Sequence, residues 1–201
     1  MSDRVTASLL ALALAAMPAG STSPSPTIRT TGCLAAGDGY LRARVRGAID
    51  LDLDWKDAQM QCDGAPRPRG ENNKSSGVRV TIGGPLRGNA RRIRLVFGIS
   101  GLDEGASGAT LRTNVTLFFE GENRVFATLG DDKCTTDSVT QNRVESLGGE
   151  RAIYRIVARG FCIGPASNPA GTERVVITSF DFAGRVEFGD DDRHEPTPPH
   201  P

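Results

Sequence analysis

Histidine is almost missing from this chain. Its two copies, His194 and His200, both fall in the C-terminal stretch GDDDRHEPTPPHP, a Pro-, Thr- and acid-rich segment without the apolar residues needed to fold by itself. The body of the protein therefore has no imidazole. A Ser-His-Asp or Cys-His hydrolase needs a histidine placed inside the domain, and a catalytic zinc site normally uses one or more, so the sequence argues against both classes. A phosphate-binding loop is missing too: Gly83-Gly84 and the Gly105 to Gly108 segment lack the Lys-Ser/Thr pair and the following helix that such a loop requires. Lysine is scarce, with three copies against 21 arginines. With the abundant Ala and Gly, this looks like codon usage in a high-GC bacterial genome and carries no physical argument.

Net charge is zero. The segment 189–201 holds four acids and one arginine, a net of −3, which leaves 0 − (−3) = +3 on the remainder. No Lys/Arg cluster is interleaved with aromatics, so nucleic acid is not an expected partner. Long hydrophobic runs are also absent. The longest, Ala7 to Met17, is ended by Pro18 and falls well short of the ~20 residues that span a bilayer. It suits the apolar core of a signal peptide. Arg4 supplies a basic residue before it, and Ala19-Gly20-Ser21 supplies small residues at the cleavage site. The expected organisation is a signal peptide over 1–21, a Ser/Pro/Thr-rich flexible leader over 22–32, one domain over 33–188 and a disordered acidic, Pro-rich tail over 189–201. The mature protein is expected to be periplasmic or extracellular, with no membrane span after cleavage and a partner in the protein or cell-envelope class.

Export gives the four cysteines a reading, because an even count in an oxidising compartment points to disulfides. Three pairings exist. Cys33–Cys62 and Cys134–Cys162 are favoured, since both close loops of similar size and tie sequence-adjacent strands, each contributing roughly 3–4 kcal/mol by chain entropy. A zinc reading fails on spacing, as no cysteine lies two to four residues from another or near a histidine.

What the sequence has in quantity is alternation with period two. In LRARVRGAIDLDLDW, Leu41 to Trp55, the odd positions are apolar or Gly, while Arg42, Arg44, Arg46, Asp50, Asp52 and Asp54 fill even ones. Such a pattern marks a half-buried strand. Fifteen residues would reach about 50 Å, far beyond a usual strand, so the chain must turn at Gly47. A three-residue loop Arg46-Gly47-Ala48 would set Val45 opposite Ile49 and Arg44 opposite Asp50, and only an odd loop length keeps both faces matched. A bend at Gly47 into a second sheet is the alternative.

Similar runs follow: Val78 to Ile82, Ile93 to Ile99, Leu111 to Phe119, a short one carrying Val125, Ala127 and Leu129, a polar one from Cys134 to Val144, Tyr154 to Cys162 as a central strand with apolar residues on both faces, and Val175 to Phe188 with a bend at Gly184. Ala58 to Cys62 is a further short candidate, and Gly64 to Gly77 reads as a long polar loop. No stretch after the signal segment carries a persuasive 3.6 period. Short strands with turn signals every ten or so residues predict a single antiparallel β-sandwich, immunoglobulin-like or jelly-roll-like, of about 8–10 strands. The two long glycine-bearing strands at its ends are expected to pair.

Candidate chemistry is thin. Asp181, between Phe180 and Phe182, and Asp50, Asp52 and Asp54 could supply the carboxyl pair of a glycan-active enzyme. Alternation instead places all four on the solvent face, where charge keeps strands soluble. Asp50, Asp52 and Asp54 are also the candidate ligands for Ca²⁺, alone or with Asp131-Asp132 or Asp190 to Asp192, in an adhesion-like module. They resemble the start of an EF-hand loop only in spacing: Trp55 stands where its glycine is required and Gln61 where its glutamate is. Tyr40 shares the parity of the arginines and is the candidate ligand-facing ring, with Phe118 and Phe126 next. Asn114-Val115-Thr116 and Asn73-Lys74-Ser75 match the glycosylation pattern by chance composition. The leading expectation is an exported, non-enzymatic β-sandwich that acts through surface interaction.

Overall fold

The computed structural model describes residues 32–68, 77–88, 91–147 and 151–189. Eleven strands carry almost the whole of it: β1 Tyr40–Gly47, β2 Leu51–Lys56, β3 Gln61–Pro66, β4 Val78–Pro85, β5 Arg92–Ile99, β6 Leu111–Phe119, β7 Arg124–Ala127, β8 Cys134–Leu147, β9 Arg151–Cys162, β10 Ala166–Ser167 and β11 Arg174–Phe188. All pairings are antiparallel and form one continuous sheet ordered β2-β1-β11-β10-β7-β6-β5-β4-β3, with β8 pairing β6 and β9, and β9 pairing β11. The sheet folds over on itself into two layers, β2-β1-β11-β9-β8 facing β3-β4-β5-β6-β7, joined where β8 leaves β6 and where the two-residue β10 bridges β7 and β11. This is the antiparallel sandwich expected from alternation. The count of eleven is one above the upper end of the anticipated 8–10, because the two-residue β10 is too short to show a period.

The core is the sum of the inward parities. Leu41, Ala43 and Val45 of β1 meet Val80 and Ile82 of β4, Leu95 and Phe97 of β5, and Leu117 of β6 in one buried cluster. At its centre Phe97 lies 5.0 Å from the Phe180 ring and 4.7 Å from the Phe182 ring, centroid to centroid. Trp55, 4% exposed, closes one end by lying against Gly84 while its indole N–H donates to the Pro85 carbonyl at 2.9 Å. The layers approach closely at Gly64, where any side chain would collide with the Arg185 backbone oxygen.

Both disulfides have the favoured connectivity, Cys33–Cys62 and Cys134–Cys162. The first ties the segment before β1 to β3. The second joins residues directly opposite in the β8–β9 ladder.

Several local expectations are corrected. The β1–β2 register sets Val45 opposite Leu51, Arg44 opposite Asp52 and Arg42 opposite Asp54, two residues beyond the tight hairpin. The parity survives because the longer connection is also odd. Asp50, exposed, accepts the Gly47 N–H at 3.2 Å, and the Arg46 guanidinium donates to the Val45 and Leu51 carbonyls, so side-chain bonds close the wider turn. Ala58 to Cys62 is not a strand at its start: Asp57–Gln59 form a 3-10 turn. Asp57, 5% exposed, holds that turn by accepting the Leu34 and Gly39 N–H groups at 2.8 and 3.1 Å.

In β7 the inward residue is Phe126, fully buried, because it stands opposite inward-facing Leu117. Val125 and Ala127 are half-buried, and Leu129, beyond the strand, is 81% exposed. In β11 the irregularity lies at Thr178 rather than Gly184: Arg44 pairs Ser179 and Val45 pairs Ile177. This bulge moves the inward parity from Val175 and Ile177 to Phe180 and Phe182. Gly184 instead sits within van der Waals reach of Val80 on the facing layer. Of the polar loop, Gly64–Pro66 belong to β3, and 69–76 lie outside the described residues. The two long end strands do pair, with Tyr40 opposite Ala183 and Gly47 opposite Val175.

Candidate functional site: the ionic face of β1, β2 and β11

The residues singled out by sequence converge on one outer face. Because β1 lies between β2 and β11, Arg42 has an acid on both sides, whereas Arg44 faces Asp52 on β2 and Ser179 on β11. Arg42 is opposite Asp54 on β2 and Asp181 on β11, and its guanidinium sits 3.8 Å from Asp54 and 3.9 Å from Asp181. Arg46 reaches Asp52 at 2.7 Å, and Arg44 approaches the same Asp52 oxygen only to 3.9 Å. Lys56 lies 3.8 Å from Asp54. Asp181 is matched across β9 by Arg159. Exposed pairs of this kind contribute about 0–1 kcal/mol each; the row determines which charges stand where more than it stabilises the fold.

Tyr40 is neither a free platform nor a core residue. Its hydroxyl donates to Asp181 Oδ1 at 2.8 Å, and the Arg42 guanidinium stacks 5.2 Å from the ring centroid. Burial, then the hydrogen bond to Asp181 and that carboxylate's charge, push the phenol above its ordinary pKa against the opposing fields of Arg155 and Arg42. Phe118 is 40% exposed and Phe126 fully buried, which removes Phe126 from the ligand-facing candidates.

A shallow depression of about 520 Å³ opens on this face, lined by Arg42, Arg44, Arg46, Arg87, Asp52, Asp54, Ser179 and Asp181 among others. Four arginines against three aspartates leave it slightly positive. Arg87 enters from the β4–β5 turn, a contribution the sequence had no means of placing; its side chain has no hydrogen-bond or ion-pair partner among the described residues. A second groove of about 360 Å³ runs along β2, between Leu51, Leu53 and Trp55 on one wall and Leu86, Arg87, Arg91 and Phe119 on the other.

The chemistry of these acids is set by their cationic neighbours. Arg42 stands between Asp54 and Asp181, near both carboxylates. Asp52 and Asp54 are likewise engaged by guanidinium and ammonium groups, while Asp50 accepts the bond within its turn. Among the described residues no three His, Cys, Asp or Glu side chains are gathered as a metal site. Asp131 lies elsewhere, bound by Arg67 at 3.0 and 3.3 Å and by Ser100 and Asn114. Asn114 is thus a strand residue occupied by a carboxylate. Asp190 to Asp192, Asn73-Lys74-Ser75 and both histidines lie outside the described residues.

The fold and this face define a disulfide-linked antiparallel β-sandwich with one ion-paired outer layer. Compared with known protein families, curated proteins and solved structures, the chain matches none. No helix among the described residues is long and apolar enough to cross a membrane.

Proposed function

We propose that this chain is an exported, non-enzymatic β-sandwich that works in the periplasm or outside the cell by binding a partner through its surface. The observation that carries the reading is Arg42 placed between Asp54 and Asp181, with Tyr40 donating to Asp181: these acids are tied to neighbouring side chains as parts of one charged outer face. Two disulfides support an oxidising compartment, where such bonds persist.

The test is a screen of the purified protein for hydrolysis of polysaccharide and ester substrates, run beside Asp181→Asn, together with thiol alkylation of the protein in intact cells. The expected result is no turnover in either protein and cysteines protected from alkylation until reduced. A reproducible hydrolytic activity that Asp181→Asn abolishes would overturn the reading, as would freely alkylated cysteines.

A further inference from the structure

The end of the sandwich where β6 and β8 begin and β9 ends combines features found nowhere else in the described residues. The two most exposed large aliphatic side chains, Leu129 at 81% and Ile163 at 78%, both stand there. So do the only two non-glycine residues with positive φ, Leu129 at 49° and Thr110 at 54°. Such conformations persist where the surroundings over-determine them, and they concentrate at binding sites.

The surroundings here are rigid. Cys134 and Cys162 are covalently joined at the base of the two loops. The Ile163 and Gly164 N–H groups both donate to the Lys133 carbonyl, at 2.8 and 3.1 Å, locking one loop onto the other. Asp131, two residues after Leu129, is clamped by Arg67, Ser100 and Asn114. Leu129 and Ile163 are thus held out in water by a fixed frame, and a preorganised apolar group loses little entropy on binding.

At this end lies a depression of about 380 Å³ lined by Thr110, Arg112, Asp131, Asp132, Thr135 and Ile163 among others, with Leu129 two residues before Asp131 in the chain. The Arg112 guanidinium has no hydrogen-bond or ion-pair partner among the described residues. Asp132, 71% exposed, has only Lys133 at 3.9 Å.

We propose that this end is the contact through which two copies of the chain associate about a twofold axis. A twofold interface requires one surface to be its own complement, residue i meeting j while j meets i. Knob and hollow, and cation and anion, lie side by side here, so Leu129 of each copy can enter the hollow of the other while Arg112 of each faces Asp132 of the other. A bilayer is the poorer occupant, since Asp131, Asp132 and Asp137 would have to approach it with the aliphatic tips. The inference rests on the reading that the protein acts through its surface and names the partner as a second copy.

Sedimentation velocity over the micromolar to submillimolar range, with melting temperature to verify folding, tests it. The wild type is expected to dimerise reversibly and more weakly at high salt, because rim ion pairs are screened. Leu129→Ser with Ile163→Ser should raise the dissociation constant at least about tenfold at unchanged melting temperature. Arg112→Glu and Asp132→Arg should each weaken the dimer, and the two combined should recover it. A monomer at every concentration, a dimer indifferent to the serine pair, or a charge swap without recovery would each overturn the inference. So would a monomer that sediments with phosphatidylcholine vesicles through Leu129 and Ile163. Hydrolysis lost in Asp181→Asn would overturn the functional reading alone, whereas an inactive monomer would overturn this contact alone.

Discussion

At the residue scale, what matters is where each charge finds its partner. Arg42 is the clearest case: its position in the alternation specifies only that it faces water, and pairing with β2 and β11 together turns it into the cation between two acids. Asp131 is the opposite case, an acid in a loop with no periodic signal that becomes the most hydrogen-bonded carboxylate described. Burial opposes its ionisation, but the bonds from Arg67, Ser100 and Asn114, with the Arg67 charge, outweigh that and hold its carboxyl below the usual carboxylate value. A depressed folded-state pKa gives stability that is present above the unfolded value and lost as pH falls through the folded one. Wild type should therefore be more stable than Asp131→Asn at neutral pH, with the difference closing below about pH 4. Parallel denaturant titrations from pH 7 to pH 2 check this, and a difference that grows on acidification would refute it.

At the element scale, the LRARVRGAIDLDLDW stretch divides its labour between faces. Its apolar parity is continuous through β1 and β2 and is buried almost completely: Leu41 and Val45 have no exposure, Leu53 7% and Trp55 4%. Its charged parity makes exposed pairs only. Leu41→Ala should then cost about 2–5 kcal/mol by cavity formation, and Asp52→Asn less than about 1 kcal/mol; equal costs in chemical denaturation would overturn this division. The hairpin shows how far pattern reaches. Period two requires an odd loop, and the five residues Arg46 to Asp50 satisfy it as well as three do. The choice between them falls to the Asp50 and Arg46 side-chain bonds and to β11, whose Arg174 carbonyl accepts the Ala48 N–H at 2.9 Å.

At the scale of the whole molecule, a single sheet closes into two layers and disulfides secure both its opening and its later half. The Cys33–Cys62 loop spans 29 residues and the Cys134–Cys162 loop 28, so chain entropy assigns them similar contributions of roughly 3 kcal/mol. Reduction should lower the stability of the protein substantially. Peptide mapping without reductant should recover these two links; a Cys33–Cys134 peptide would contradict the topology. Cys33→Ala with Cys62→Ala and Cys134→Ala with Cys162→Ala should destabilise by comparable amounts in denaturant unfolding. Only the second pair should also loosen the frame that carries Ile163, because Cys162 precedes it directly.

The sequence by itself determined the class of fold, the inward residues of β1 and β2 and the ionic character of their other face, and it favoured the cysteine pairing that the structure has. These follow from local rules: a pleated strand alternates its faces, an interior needs apolar side chains, and neighbouring cysteines close short loops. Beyond the β1–β2 hairpin and the pairing of the two end strands, it did not determine which strands lie side by side or in what register, and the candidate surfaces depend on that. Tyr40 and Asp181 are 141 residues apart, and their meeting is decided by the β1–β11 register. The Thr178 bulge and the inward turn of Phe126 arise from fitting to strands already in place. Arg87 reaches the ionic face only because β4 and β5 close over β2. Leu129, read as part of an alternating run, is held in water by a clamp assembled from four separate segments. Alternation reports which way a side chain points; the packing of the two layers decides what it meets there.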